Sequence, residues 1–104
     1  MNYTQAMFEV IQSAEFTEWA SGLRDRHAAL RITARIKRAQ LGNLGDYKFL
    51  RDSVSEMRVD TGAGYRLYFT RRGDTVVILL AGGDKRTQEK DIERAVALAK
   101  IWKE

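Results

Sequence analysis

The chain has 104 residues, a formal net charge of +4, no cysteine and a single histidine. That length holds one core and one domain, residues 1–104, with no room for a second lobe. Without cysteine there are no disulfides or thiolate metal sites, and His27 cannot build a zinc site alone.

The opening MNYTQAMFEV has no basic flank and no long apolar stretch, so no secretory leader is expected. No run approaches the roughly 18 apolar residues of a spanning helix, so the expectation is a cytoplasmic protein without a membrane role. No metal or organic cofactor is indicated. The basic balance suits a polyanion or an acidic protein. A mildly basic soluble protein fits it equally.

Met7 to Gln12 carries β-favouring residues at Phe8, Val10 and Ile11 and reads as a strand. Ser13 or Thr17 caps a helix that runs to about Leu23, with Phe16, Trp19, Ala20 and Leu23 on one face. A second helix spans about Asp25 to Leu41. Ala28, Ala29, Ile32, Ile36 and Ala39 share its apolar face, and Arg24, Arg31, Arg35 and Arg38 form a basic stripe beside it. Gly42 is a natural terminator. After the turn Asn43 to Asp46, the segment Tyr47 to Leu50 reads as extended.

Ser55 to Asp60 and Tyr65 to Thr70 form a hairpin around Thr61 to Gly64. Alternation sets Arg58 opposite Met57 and Val59 in facing, and Arg66, Tyr68 and Thr70 opposite Tyr65, Leu67 and Phe69. Thr75 to Ala81 is apolar after Thr75, the pattern of an interior strand covered on both faces. A loop, Gly82 to Arg86, leads to a last helix with Thr87 as N-cap, Glu89 and Asp91 in its first turn, and Ile92, Ala95, Val96, Ala99 and Trp102 inside. The order is β-α-α-β-β-β-α. It predicts an α+β fold: a small twisted, mainly antiparallel sheet packed on a helical hairpin, with the C-terminal helix on the other face.

Cross-strand pairing brings Arg58 and Arg66 side by side. Such a pair is either a phosphate clamp or two solvated side chains paired with Glu56 and Asp60. Lys85 and Arg86 add cations where a loop enters a helix N-terminus, a position that favours anions. The same loop also reads as a glycine-rich turn with solubilising charges. Gln88 and Asp91 lie in the first helical turn, where Asp91 is either a base or a dipole-stabilising acid, with Asp84 as a second candidate. Tyr68 shares the face of Arg66 and either stacks on a base or packs in the strand. The stripe of Arg31, Arg35 and Arg38 either meets RNA or an acidic partner, or is a solvated face. His27 reads as a surface residue.

The segments EMRV, GAGYRLYF and VVILLAGGDKRTQEKDI, with the upstream FTEWASGLRDRHAALRITARIKRAQLGNLGDYKFL, resemble the RelE/ParE superfamily of toxins from type II toxin–antitoxin modules. The HigB-like, phage-related addiction module killers are the closest branch. The resemblance implies a RelE-like fold and a ribosome-dependent mRNA endoribonuclease that inhibits translation. It also implies partners: the ribosome with its mRNA, and a small HigA-like helix-turn-helix antitoxin encoded nearby.

By this resemblance Arg66 would hold the scissile phosphate, Arg58 would be a catalytic basic residue and Lys85 would stabilise the transition state. Related chains carry a tyrosine, or a histidine or aspartate cluster, near the last helix. Here only Asp91 is ionisable at that place. With no metal site in the sequence, cleavage would use the ribose 2′-hydroxyl and leave a 2′,3′-cyclic phosphate and a 5′-hydroxyl. A ParE-like gyrase poison and an inactive basic binding module are the alternatives. The nuclease reading requires Arg58, Arg66 and Lys85 to converge on one phosphate and to be free of internal ion pairs.

Overall fold

In a computed structural model, which describes residues 7–103, the elements run β1 (Glu9–Gln12), α1 (Ala14–Ser21), α2 (Arg26–Gln40), β2 (Tyr47–Arg51), β3 (Val54–Val59), β4 (Tyr65–Arg72), β5 (Val76–Asp84), a 3-10 turn (Lys85–Thr87) and α3 (Gln88–Ile101). The five strands form one mixed sheet in the order β1-β5-β4-β3-β2. Only the β1–β5 pair is parallel, and the other neighbours are antiparallel. The α+β architecture is the predicted one. The extended segment after residue 46 is a full edge strand, which adds β2 to the predicted order.

Each face of the sheet has its own core. On one, Met57, Val59, Tyr65, Leu67, Phe69, Val77 and Leu79 meet Phe16 of α1 and Ala28, Ile32 and Ala39 of α2. On the other, Val54, Tyr68, Ile78, Leu80 and Ala81 meet Ala95, Val96 and Ala99 of α3. Val77 to Leu80 are fully buried, as an apolar strand covered on both faces requires.

Local chemistry fixes the helix starts. Ser13 Oγ accepts from Phe16 N at 2.9 Å, and Asp25 Oδ1 accepts from Ala28 N at 3.0 Å. Thr87 differs from the expectation. It holds the N-cap position of α3 without a capping bond, and its hydroxyl donates instead to Asp91 Oδ2 at 2.7 Å. Gly82, Gly83 and Asp84 also differ: they belong to β5 and not to a loop.

Arg35 is the main correction on α2. It leaves the predicted basic stripe, and its guanidinium donates to the backbone oxygens of Arg58, Leu44 and Asp46. Those bonds pin the turn before β2 against the end of β3. Burial, with Arg38 next in effect, lowers its pKa below the ordinary arginine value. Arg31 and Arg38 stay exposed on the helix, and Arg24 lies before it.

Arg35→Ala should therefore cost about 2 kcal/mol, since hydrogen bonds from a charged donor are worth about 1.5–3 kcal/mol and the oxygens of Arg58 and Leu44 lose this partner at part-buried positions. Arg31→Ala should stay within about 0.5 kcal/mol of the parent. Urea midpoints of the two variants check the contrast.

Candidate functional site: an arginine–glutamate–arginine unit

Arg58 and Arg66 are directly opposite in the β3–β4 register, on the α3 side of the sheet. Two guanidiniums at that distance repel unless an anion separates them. Glu56 does so. Its Oε2 accepts from Arg58 Nε at 3.0 Å, and its Oε1 lies 3.8 Å from Arg66 Nε. Glu56 comes from β3 two residues before Arg58, so the same alternation puts both on one face.

The three side chains differ in access. Glu56 is 5% exposed and Arg66 is 8% exposed, whereas the Arg58 side chain is 34% exposed. The bond to Glu56 raises the Arg58 pKa further. Arg66 also donates through Nη1 to the Tyr65 oxygen at 3.1 Å, while its buried Nε makes no hydrogen bond among the described residues. The unit carries one net positive charge, partly desolvated, with its free guanidinium surface on Arg58.

Tyr68 is paired with Glu56 on one side and Ala81 on the other. It is fully buried, so it is not available to stack on a base as the sequence allowed. Its hydroxyl makes no hydrogen bond among the described residues. Burial, then Glu56 and Asp91, raises its pKa above the ordinary tyrosine value, and Arg66 opposes this.

An extra residue in β5 sets the next layer. Tyr68 pairs with Ala81 but Phe69 pairs with Leu79, so Leu80 is a bulge. Leu80 and Ala81 both point to the α3 side. Gly83 then falls opposite Arg66, and Gly82 opposite Leu67. A Cβ on Gly83 would lie 1.9 Å from Asp91 Oδ2, and one on Gly82 would lie 2.2 Å from the Trp19 ring. The two glycines are there because α3 and α1 come too close for any side chain. Asp91 thus sits over the strand next to Arg66.

The other predicted residues are distributed as follows. The Lys85 stem lies on Gly64 of the β3–β4 loop, close enough that a Cβ there would be 2.7 Å from Lys85 Cε. Its side chain is not part of the Arg58–Glu56–Arg66 unit. Arg86 is turned onto Asp84, with Nη2 to Oδ2 at 2.8 Å, which holds the Asp84 carboxyl below its usual range. Gln88 is half-buried at the first position of α3, and His27 is exposed. Arg31 and Arg38 lie on α2, on the opposite side of the sheet from this unit. Glu56 pairs with the two arginines, as one of the two readings from sequence had it, whereas among the described residues no ion pair joins Asp60 to them. Read from sequence, Glu56 had no part in the site itself, although its place two positions before Arg58 was the available signal. Among the described residues no group of three or more histidine, cysteine, aspartate or glutamate side chains is placed to hold a metal ion.

The Tyr68 hydroxyl gives a test of this geometry. Unfolded, the phenol ionises near pH ~10; folded, it stays protonated to higher pH. The folded state then binds more protons above pH ~10, so stability falls there as pH rises. Tyr68→Phe removes both that loss and an unpartnered buried hydroxyl. The variant should lie within about 1 kcal/mol of the parent at pH 7, or above it. It should also lose less stability between pH 7 and 11, read from urea midpoints.

The family described as phage derived protein Gp49-like (DUF891) matches residues 21–102, from the end of α1 through α3. An uncharacterized protein of Haemophilus influenzae is 50% identical over 84 residues, which cover 81% of this chain and 85% of the relative. With a family match over most of its length and a relative of that identity, the chain belongs to the Gp49-like phage-derived family, a toxin-like family of RelE type.

Proposed function

We propose that the chain is the toxin of a type II toxin–antitoxin pair of the HigB-like branch. It acts in the cytoplasm as a ribosome-dependent mRNA endoribonuclease and is held in check by a small helix-turn-helix antitoxin. The expected trio of converging, unpaired cations is not met, since Glu56 pairs with both arginines and Lys85 lies apart. What supports this reading instead is the cross-strand unit itself, in which Glu56 occupies a place between Arg58 and Arg66 that a phosphate could take.

In the proposed reaction a phosphodiester takes the place of the Glu56 carboxylate against the two arginines. Both guanidiniums then face the non-bridging oxygens, where charge builds in the phosphorane. The displaced Glu56 accepts the proton of the ribose 2′-hydroxyl. The 2′ oxygen bonds to phosphorus, the bond to the 5′ oxygen breaks, and that oxygen takes a proton and leaves as a hydroxyl. That proton comes from solvent, since Tyr68, although on the same face, is fully buried. Glu56 therefore takes the base role for which the sequence offered Asp91, with Asp84 second, as a candidate. The ribosome supplies substrate positioning, which lessens the demand on this small acid–base set.

A second reading has its own support. Glu56 already neutralises one of the two arginines, and Lys85 lies outside the unit. This favours a non-nucleolytic toxin such as a gyrase poison.

One experiment separates them. Induced expression should arrest growth, and transcripts recovered from ribosomes should carry new 2′,3′-cyclic phosphate ends. Arg66→Gln should slow cleavage by about 10²- to 10³-fold, the usual loss when one preorganised charge donor is removed. Glu56→Gln should do likewise while the protein stays folded. Arrest with intact mRNA and accumulated gyrase–DNA cleavage complexes supports the second reading and ends the first.

A further inference from the structure

The strand β5 is longer than its parallel neighbour. Pairing with β1 covers Val76 to Leu79 only. There the chain turns away: Ser13 N donates to the Leu79 oxygen at 2.9 Å, and Ser13 Oγ donates to the Leu80 oxygen at 2.8 Å. Among the described residues no strand pairs with Ala81–Asp84 on that side. This open edge is the floor of a groove of about 730 Å³ whose walls are α1 and α3.

The groove reverses the sign of the molecule. On a chain of net charge +4, it is lined by Glu15, Glu18, Asp84 and Asp91 against only Arg86 and Arg94, a surplus of two carboxylates (four minus two). Both arginines are already engaged. Arg86 binds Asp84 at 2.8 Å, and Arg94 binds Glu15 at 2.8 Å, tying the two walls together. Glu18 and Asp91 are left to face an incoming cation. Trp19, packed on Gly82, adds an aromatic face to the same groove.

An unpaired strand edge offers a row of backbone donors and acceptors, and pockets beside it read alternate side chains. We propose that the open edge of β5 is a docking site for an extended, basic segment of a partner protein. The segment adds as a strand beside Ala81–Asp84, and one lysine or arginine side chain projects to the α1 side, against Glu18 and Trp19, while Asp91 adds negative charge from the α3 side. The two glycines let a partner backbone approach, since neither adds a side chain to the edge. The proposal does not depend on the nuclease reading.

The test uses the full chain and the amidated pentapeptide Thr-Val-Arg-Val-Thr, followed by the amide resonances of Gly82 and Gly83 and the indole of Trp19. The peptide should shift all three at millimolar concentration. Replacing its arginine by glutamate should weaken binding at least about fivefold, the scale of one partly screened ion pair. Glu18→Lys, on an exposed helix position, should weaken it by a similar factor. N-methylation of the peptide backbone should abolish binding. Absence of shifts, or equal shifts with the arginine and glutamate peptides, overturns the proposal. So does movement of the same resonances with protein concentration alone, which would assign the edge to a second copy of this chain.

Discussion

A single extra residue in β5 decides which way the end of that strand faces. Because Leu80 has no partner of its own, it and Ala81 both point toward α3, and the alternation resumes one position out of phase. Gly82 therefore meets α1 and Gly83 meets α3, each at a distance that no Cβ tolerates. Trp19 and Asp91 close on the strand from opposite sides. Without the bulge, the Asp91 carboxylate would not lie over the strand beside Arg66.

Charge follows the same geometry. The β3–β4 register places two arginines face to face, an arrangement a sheet tolerates only with an intervening acid. Glu56 satisfies that demand from within the same strand. Elsewhere Arg35 spends its donors on three carbonyls of the turn before β2 and the end of β3. Two arginines of the chain thus look alike in sequence and serve opposite ends: Arg35 holds the backbone, while Arg58 keeps guanidinium surface toward solvent.

The function we propose uses the exchangeable part of this system. An ion pair between Glu56 and the two arginines reduces the unit to a single net positive charge at rest. A phosphate that displaces the carboxylate gains both cations and frees a proton acceptor in one movement. The buried Tyr68 hydroxyl and Arg66 Nε, neither hydrogen-bonded among the described residues, leave polar capacity beneath the same spot. The acidic groove along β5 is a separate surface of opposite charge, so a polyanion and a basic segment need not compete for one place.

Much of this was legible in the sequence. Hydrophobic periods gave the helices, the β3–β4 hairpin and its facing, and the interior β5, because buried faces impose the 3.6 and 2.0 repeats directly. Other features were not. The uniformly apolar 76–81 run has no alternation, so a bulge within it leaves no trace. The β2–β3 turn, Asp52–Ser53, adopts positive φ at both residues without the glycine that usually marks it, so the hairpin read only as an extended segment. Arg31 and Arg35 stand one helical turn apart with the same side chain, and only packing separated the exposed one from the half-buried one. The amino-acid order by itself determined the elements, their inward faces and the alignment of Arg58 with Arg66. The tertiary structure alone decided which carboxylate joins those arginines, which glycines are forced by close approach and which strand edge stays open, because each depends on contacts between segments far apart in the chain.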